Sequence, residues 1–162
     1  MSTQMANQTV TAESAHVLQV LTDPAACGRW APIAFTTDQA PNERLQAGTR
    51  TRLRGRIAGR NVTFEIHVVA ADERGLSLHA TGPVRFEVDF RLTPAPRRTL
   101  IEAQITLAQT SGITGAIIAR ATNAMLGAGA LRFALRAIAA EAEQLQPTAG
   151  HNLPSPQKLR AA

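Results

Sequence analysis

Two runs of this chain alternate apolar and polar side chains with a period of two. Val84, Phe86, Val88, Phe90 and Leu92 are interleaved with Arg85, Glu87, Asp89 and Arg91; Ile101, Ala103, Ile105 and Leu107 are interleaved with Glu102, Gln104 and Thr106. This spacing marks strands with one buried and one wet face. It also runs through Thr49 to Ile57 and Val62 to Val69, and more weakly through Ile33 to Thr37 and Leu76 to Thr81. Asp72 to Gly75, Gly82-Pro83 and Pro94 to Arg98 separate the runs as turns. Gly59-Arg60 suits a two-residue type II′ loop. That loop sets Ile57 opposite Val62, Gly55 opposite Phe64 and Leu53 opposite Ile66 on the apolar face, with Arg54 facing Glu65 and Arg52 facing His67 on the other.

Elsewhere the period becomes helical. Thr9 to Thr11 reads as a short strand that hands over to a helix near Glu13, whose apolar face is Val17, Leu18 and Leu21. The acids and hydroxyls of Thr11-Ala-Glu-Ser stand where the first N–H groups need acceptors. Asp23-Pro24 starts a second short helix, Asp as N-cap and Pro at the first turn, ending near Trp30. From Ile113 to Leu145 the pattern predicts one long helix. Ile113, Ile117, Ala124, Ala128, Leu131, Leu135, Ile138, Ala142 and Leu145 share its stripe, with Leu126, Phe133 and Ala137 as a smaller patch behind. Gly127 and Gly129 cost about 1 kcal/mol each in a helix interior and mark a bend or a close approach. The expected fold class is α+β: a curved antiparallel sheet of about seven strands around a long C-terminal helix, with two short helices after the first strand. Residues 1–146 read as one domain, and the Pro-rich, aperiodic residues 147–162 as a mobile tail.

Composition narrows the class. A chain of 162 residues, 44% hydrophobic, suits one core. It has no apolar run of about 18 residues, so no membrane-spanning helix is expected, and its first residues lack a signal pattern. Cys27 is the single cysteine, which excludes a disulfide framework and a cysteine metal cluster; a reducing cytoplasm is the expected location. The net charge of +5 rests on Arg with a single Lys and no Tyr, a usage that a GC-rich bacterial genome explains without a nucleic-acid partner.

The face assignments test the chemistry. The inward face of the expected sheet carries Thr49, Thr51, Leu53, Phe64, Ile66, Phe86, Val88, Phe90 and Ile105 among others, and no titratable group, which speaks against acid–base catalysis from the sheet. Trp30 either packs in the core or covers the cavity mouth. On the long helix Ile117, Arg120 and Ala124 follow one another at helical spacing. Arg120 is therefore the candidate cavity cation, an anchor for a carboxylate, enolate or phenolate, with Asn123 one turn on as an assistant; the alternative packs its stem on apolar surface with the guanidinium in water. His16, His67, His79 and His151 read as exposed bystanders without metal-ligand spacing, so no metal and no cofactor are expected. Cys27 reads as a small buried residue. Arg50, Arg52, Arg54 and Arg56 line the outer face of one strand, either as a solvated convex surface or as a docking strip for an acidic partner.

Several of these residues also carry a family resemblance. Val10 before Ala-Glu-Ser, then Val20-Leu21-Thr22-Asp23-Pro24, Trp30-Ala-Pro, Gly48-Thr49-Arg50, Gly82-Pro83 and the long last helix together resemble the START-like polyketide cyclase/dehydrase superfamily (SRPBCC) over about residues 8–146. The resemblance implies a helix-grip fold with a deep cavity between sheet and last helix. Members hold lipids, hormones or polyketides, and some catalyse aromatic cyclisation or dehydration. It implies a small hydrophobic ligand, a polyketide or a lipid, and for a cyclase an acyl carrier protein that the Arg row would meet. Arg120 with Thr51 or Thr49 would then stabilise negative charge. A non-catalytic carrier or sensor and an interaction module built on the Arg row are the other readings.

Overall fold

The computed structural model describes residues 2–39, 43–110 and 112–145. Seven antiparallel strands form one open sheet: β1 (Ser2–Val10), β2 (Phe35–Thr37), β3 (Arg50–Ile57), β4 (Arg60–Asp72), β5 (Gly75–Thr81), β6 (Val84–Ala95) and β7 (Arg98–Thr110). Their spatial order is β1-β7-β6-β5-β4-β3-β2, a meander closed by the first strand pairing with the last. Between β1 and β2 lie α1 (Ser14–Thr22) and α2 (Pro24–Trp30). After β7 come α3 (Gly112–Gly127) and α4 (Ala130–Leu145). This is the α+β, helix-grip arrangement that the sequence implies.

Local differences have physical causes. The first strand begins at Ser2, seven residues ahead of the expected Thr9, and pairs along its whole length with β7, from Ser2↔Leu107 to Val10↔Thr99. Its inward positions are Ser2, Gln4, Ala6, Gln8 and Val10, whereas Met5 points outward, so hydropathy does not alternate with burial. The β3–β4 loop is Ala58-Gly59, with both residues at positive φ (53° and 74°), as a type I′ turn requires. The expected type II′ loop at Gly59-Arg60 is therefore corrected. The register moves by two, to Ile57↔Arg60, Gly55↔Val62, Leu53↔Phe64 and Thr51↔Ile66. A shift of two keeps every side chain on its face. Asp23 accepts a hydrogen bond from the Ala25 N–H at 3.0 Å, as its N-cap position predicts. At α1 the flanking Glu13 makes no such side-chain bond.

The expected single long helix is two helices of 16 residues each. Gly129, at φ 98°, lies in the left-handed region between them. The Ala128 N–H reaches Ala124 O and Met125 O, and the Gly129 N–H reaches Leu126 O, which tightens the last turn of α3 before Phe133 N–H bonds back to Gly129 O and α4 begins. The break resets the helical phase. Helix α4 buries Leu131, Ala134, Leu135, Ile138, Ala139 and Ala142, which includes the expected stripe as far as Ala142, whereas Leu145 at the end of that stripe is exposed. Helix α3 buries Gly115, Ile118, Thr122 and Leu126 instead, and Ile113, which the uninterrupted stripe would bury, is 81% exposed. Helix α4 lies along β1 and packs on α1 and α2.

Among the described residues no helix is long and apolar enough to cross a membrane. Residues 147–162, expected to form a tail, and His151 within them lie outside the described residues.

Candidate functional site

The concave face of the sheet, α2 with the segment that follows it, and the α3–α4 junction enclose a cavity of about 220 Å3. Strand β3 contributes Thr51, Leu53, Gly55 and Ile57, and β4 contributes Val62, Phe64 and Ile66. These come from the inward half of each strand, where the pleat puts every second side chain on the same face. Leu78 on β5, Phe86, Val88 and Phe90 on β6, and Ile105 on β7 extend that wall. Trp30 closes one side. Its ring meets Phe90 edge-on, centroids 5.6 Å apart at 81°, and its Nε1–H donates to Val20 O at 3.4 Å. Phe64 on β4 and Phe86 on β6 pack with ring centroids 4.9 Å apart.

Four sequence candidates lie elsewhere. Thr49, Ile117, Arg120 and Ala124 do not line the cavity. Arg120 and Ala124 are on the exposed face of α3, and Asn123, which accepts from the Ser2 hydroxyl at 2.8 Å, is exposed with them. The reset at Gly129 is the cause: extrapolating the α4 stripe backward selects the wrong side of α3. Thr122, Met125 and Leu126 face the cavity from α3, and Leu131 and Ala134 face it from α4. Arg120 is thus no cavity cation, and it cannot assist Thr51 as proposed from the sequence.

Sequence reading missed the wall formed by Pro24, Cys27, Ala31, Pro32, Ile33 and Phe35, together with Thr37, Gln39 and Leu45. These belong to a short helix and irregular chain, where no period reveals which side turns inward. The Asp23-Pro24 helix start was the available signal, because it fixes the direction in which α2 crosses the sheet. Burial, with Asp23 adding to it, pushes the Cys27 thiol up from 9.0 to about 12, and its S–H donates to Leu21 O at 3.4 Å. It is a wall residue and not a nucleophile at neutral pH.

The outer face carries the charge. Arg52 meets Glu65 at 3.7 Å, Arg54 meets Asp38 at 3.1 Å, and Arg56 donates to Gly59 O at 3.0 Å. The register correction replaces the expected Arg54–Glu65 and Arg52–His67 pairs by Arg52↔Glu65 and Arg50↔His67. His67 lies across from His79, which approaches Glu87 at 3.8 Å. Three of the four strand arginines are thus engaged with the protein's own oxygens. Arg50, Arg52, Glu65, His67 and His79 border a second, polar pocket, which Gln39, Thr51 and Ile66 of the cavity wall also line. Among the described residues no three His, Cys, Asp or Glu side chains converge as metal ligands.

Comparison with known proteins agrees with this architecture. The Zhui aromatase/cyclase of a Streptomyces species, R1128, superposes with a TM-score of 0.70 at 22% identity, covering 92% of this chain and 98% of that one. A Thermus thermophilus protein gives 0.68 at 15% identity, covering 90% and 100%. A START superfamily protein of Mycobacterium smegmatis gives 0.64 at 18% identity, covering 89% and 99%. Such identities establish the fold alone. No curated protein matches the chain. The family model for polyketide cyclase/dehydrase and lipid transport matches residues 3–143, nearly the whole described chain, and this protein belongs to that family.

Proposed function

We propose that this protein holds a small, uncharged, mostly apolar molecule between the sheet and the α3–α4 junction. The observation that carries the reading is the cavity wall: about 220 Å3 of space bounded by aliphatic and aromatic side chains, three threonines, one glutamine and the unreactive Cys27, with no charged side chain among the described lining residues. Apolar pockets of this kind with a few polar groups are the usual form of small-molecule sites. The family's description, which names lipid transport beside cyclisation, supports the same class of ligand.

Binding is favoured over acid–base turnover. Proton transfer needs a group of suitable pKa within hydrogen-bond reach, and the titratable wall residue, Cys27, holds its proton up to about pH 12. A polyketide cyclase of this construction would act by folding a flexible chain into a reactive shape and excluding water. The family's cyclase/dehydrase members and the Zhui neighbour keep that second reading in view.

Trp30 makes the test direct. It is the chain's only Trp, there is no Tyr, and it lies on the cavity wall. Native mass spectrometry of the purified protein, followed by titration of Trp30 emission with neutral apolar compounds and linear polyketides, should show an added mass or a saturable spectral shift. No added mass and no shift with any compound would refute the ligand reading. Conversion of a bound polyketide would move the conclusion to the cyclase.

A further inference from the structure

The hydrogen bonds of the cavity wall leave one hydroxyl proton over. Trp30 Nε1–H is engaged with Val20 O, Cys27 S–H with Leu21 O, the Thr122 hydroxyl with Ile118 O at 2.8 Å, and one N–H of the half-buried Gln39 amide with Glu43 Oε2 at 3.2 Å. Thr37 and Thr51 differ. Both line the cavity, and their hydroxyl oxygens lie 3.1 Å apart on β2 and β3. Thr37 Oγ1 also accepts the Gln39 backbone N–H at 3.1 Å.

Each hydroxyl has one proton and two acceptor positions. Only one of the two protons can lie between the oxygens. If Thr37 donates, the Thr51 proton is left. If Thr51 donates, Thr37 accepts from both Thr51 and Gln39, and its own proton is left. Neither arrangement offers the remaining proton a second acceptor among the described residues. Whichever rotamer holds, this half-buried pair presents one hydroxyl donor on an otherwise apolar wall, and a ligand oxygen that accepts it replaces the water bond that the donor loses when the ligand covers it.

We infer that the ligand is a neutral molecule bearing one hydrogen-bond-accepting oxygen, of the ketone or ester kind, seated at the Thr37–Thr51 pair. Its apolar body lies across Phe64, Phe86 and Trp30. A carboxylate does not suit the site. Arg120 is exposed on α3, and Arg52 and Arg54 face acids on the outer side of the sheet. The inference rests on the cavity being a ligand site, and it adds the ligand's polar chemistry to that reading.

A matched pair of probes separates the two claims. 2-Acetylnaphthalene and 2-isopropenylnaphthalene have nearly the same shape, but only the ketone accepts a hydrogen bond. Calorimetric titration should show the wild-type protein preferring the ketone by about fivefold, the worth of one neutral hydrogen bond. Thr37→Val and Thr51→Val should each keep the preference, because either remaining hydroxyl still has a free proton. The double variant should lose it while binding the hydrocarbon at least as well, which also shows that its cavity is intact. Equal wild-type affinity for both probes, or an undiminished ketone preference in the double variant, overturns the inference and leaves the ligand site standing. Failure of both probes to bind the wild-type protein overturns both. Should the double variant not fold, the infrared carbonyl stretch of the bound ketone decides. A stretch lower than in alkane solvent supports the Thr contact, and an alkane-like stretch refutes it.

Discussion

Helices α3 and α4 have equal lengths and follow each other directly, yet they do different work. Helix α4 buries six residues in a continuous stripe and touches β1, α1 and α2. The Arg29 guanidinium of α2 reaches its Glu141 with two contacts, at 2.6 and 3.1 Å. Helix α3 buries four residues, one a glycine and one a threonine, and leaves Ile113 in solvent. Its inner side covers the cavity at Thr122, Met125 and Leu126. Helix α4 carries most of the packing and reaches the cavity only at Leu131 and Ala134, whereas the buried side of α3 is largely cavity wall. A helix that buries so few apolar side chains belongs among the less stable parts of a fold.

This division makes predictions of decreasing size. Leu135→Ala removes a side chain with 0% exposure from the α4 stripe and should cost about 4 kcal/mol in denaturant unfolding. A loss below about 2 kcal/mol would mean that α4 is no better packed than α3. Gly129→Ala forces a side chain into the left-handed backbone of the junction and should cost about 1–2 kcal/mol. A stabilising effect would show that α3 and α4 fuse readily into one rod. Hydrogen exchange should open α3 amides at least about tenfold faster than those of α4, and equal protection would erase the distinction.

Cys27 probes the α4 side chemically. Its thiol should resist alkylation at pH 8 until the protein unfolds, whereas rapid native-state reaction would mean that either the cavity or the α2–α4 contact opens easily. Because the folded thiol is raised from 9.0 to about 12, its share of stability is complete below pH 9 and declines as pH climbs through that interval. Ile113→Ser, on the free end of α3, should change stability by less than about 0.5 kcal/mol.

How much is legible in the sequence follows the same division. Strands β3, β4 and β6 alternate strongly, so their patterns name Leu53, Phe64, Ile66, Phe86, Val88 and Phe90, whose side chains line the cavity. The β3–β4 register escapes the pattern because the loop holds an alanine at positive φ, which sequence preference disfavours. Both registers satisfy the same face pattern, so periodicity cannot choose between them. Arg120 is misplaced by the pattern because helical phase cannot be carried across Gly129. Strand β1 reads too short because its inward Ser2, Gln4 and Gln8 face partly covered space without apolar side chains. The Thr37–Thr51 contact joins a three-residue edge strand to its neighbour, and nothing in either segment alone announces it.

The pairing of β1 with β7 also has a consequence for synthesis. Ser2 meets Leu107, so the first strand must wait for a partner about 105 residues away. At ribosomal rates of about 5–20 residues per second, that wait lasts about 5–20 s. The β3–β6 hairpins, whose contacts are local, can form within that time. A hydrophobic strand left unpaired for so long would invite aggregation with neighbouring chains. The glutamines and serine that hide β1 from a periodicity search give the nascent strand little apolar surface to present while it waits.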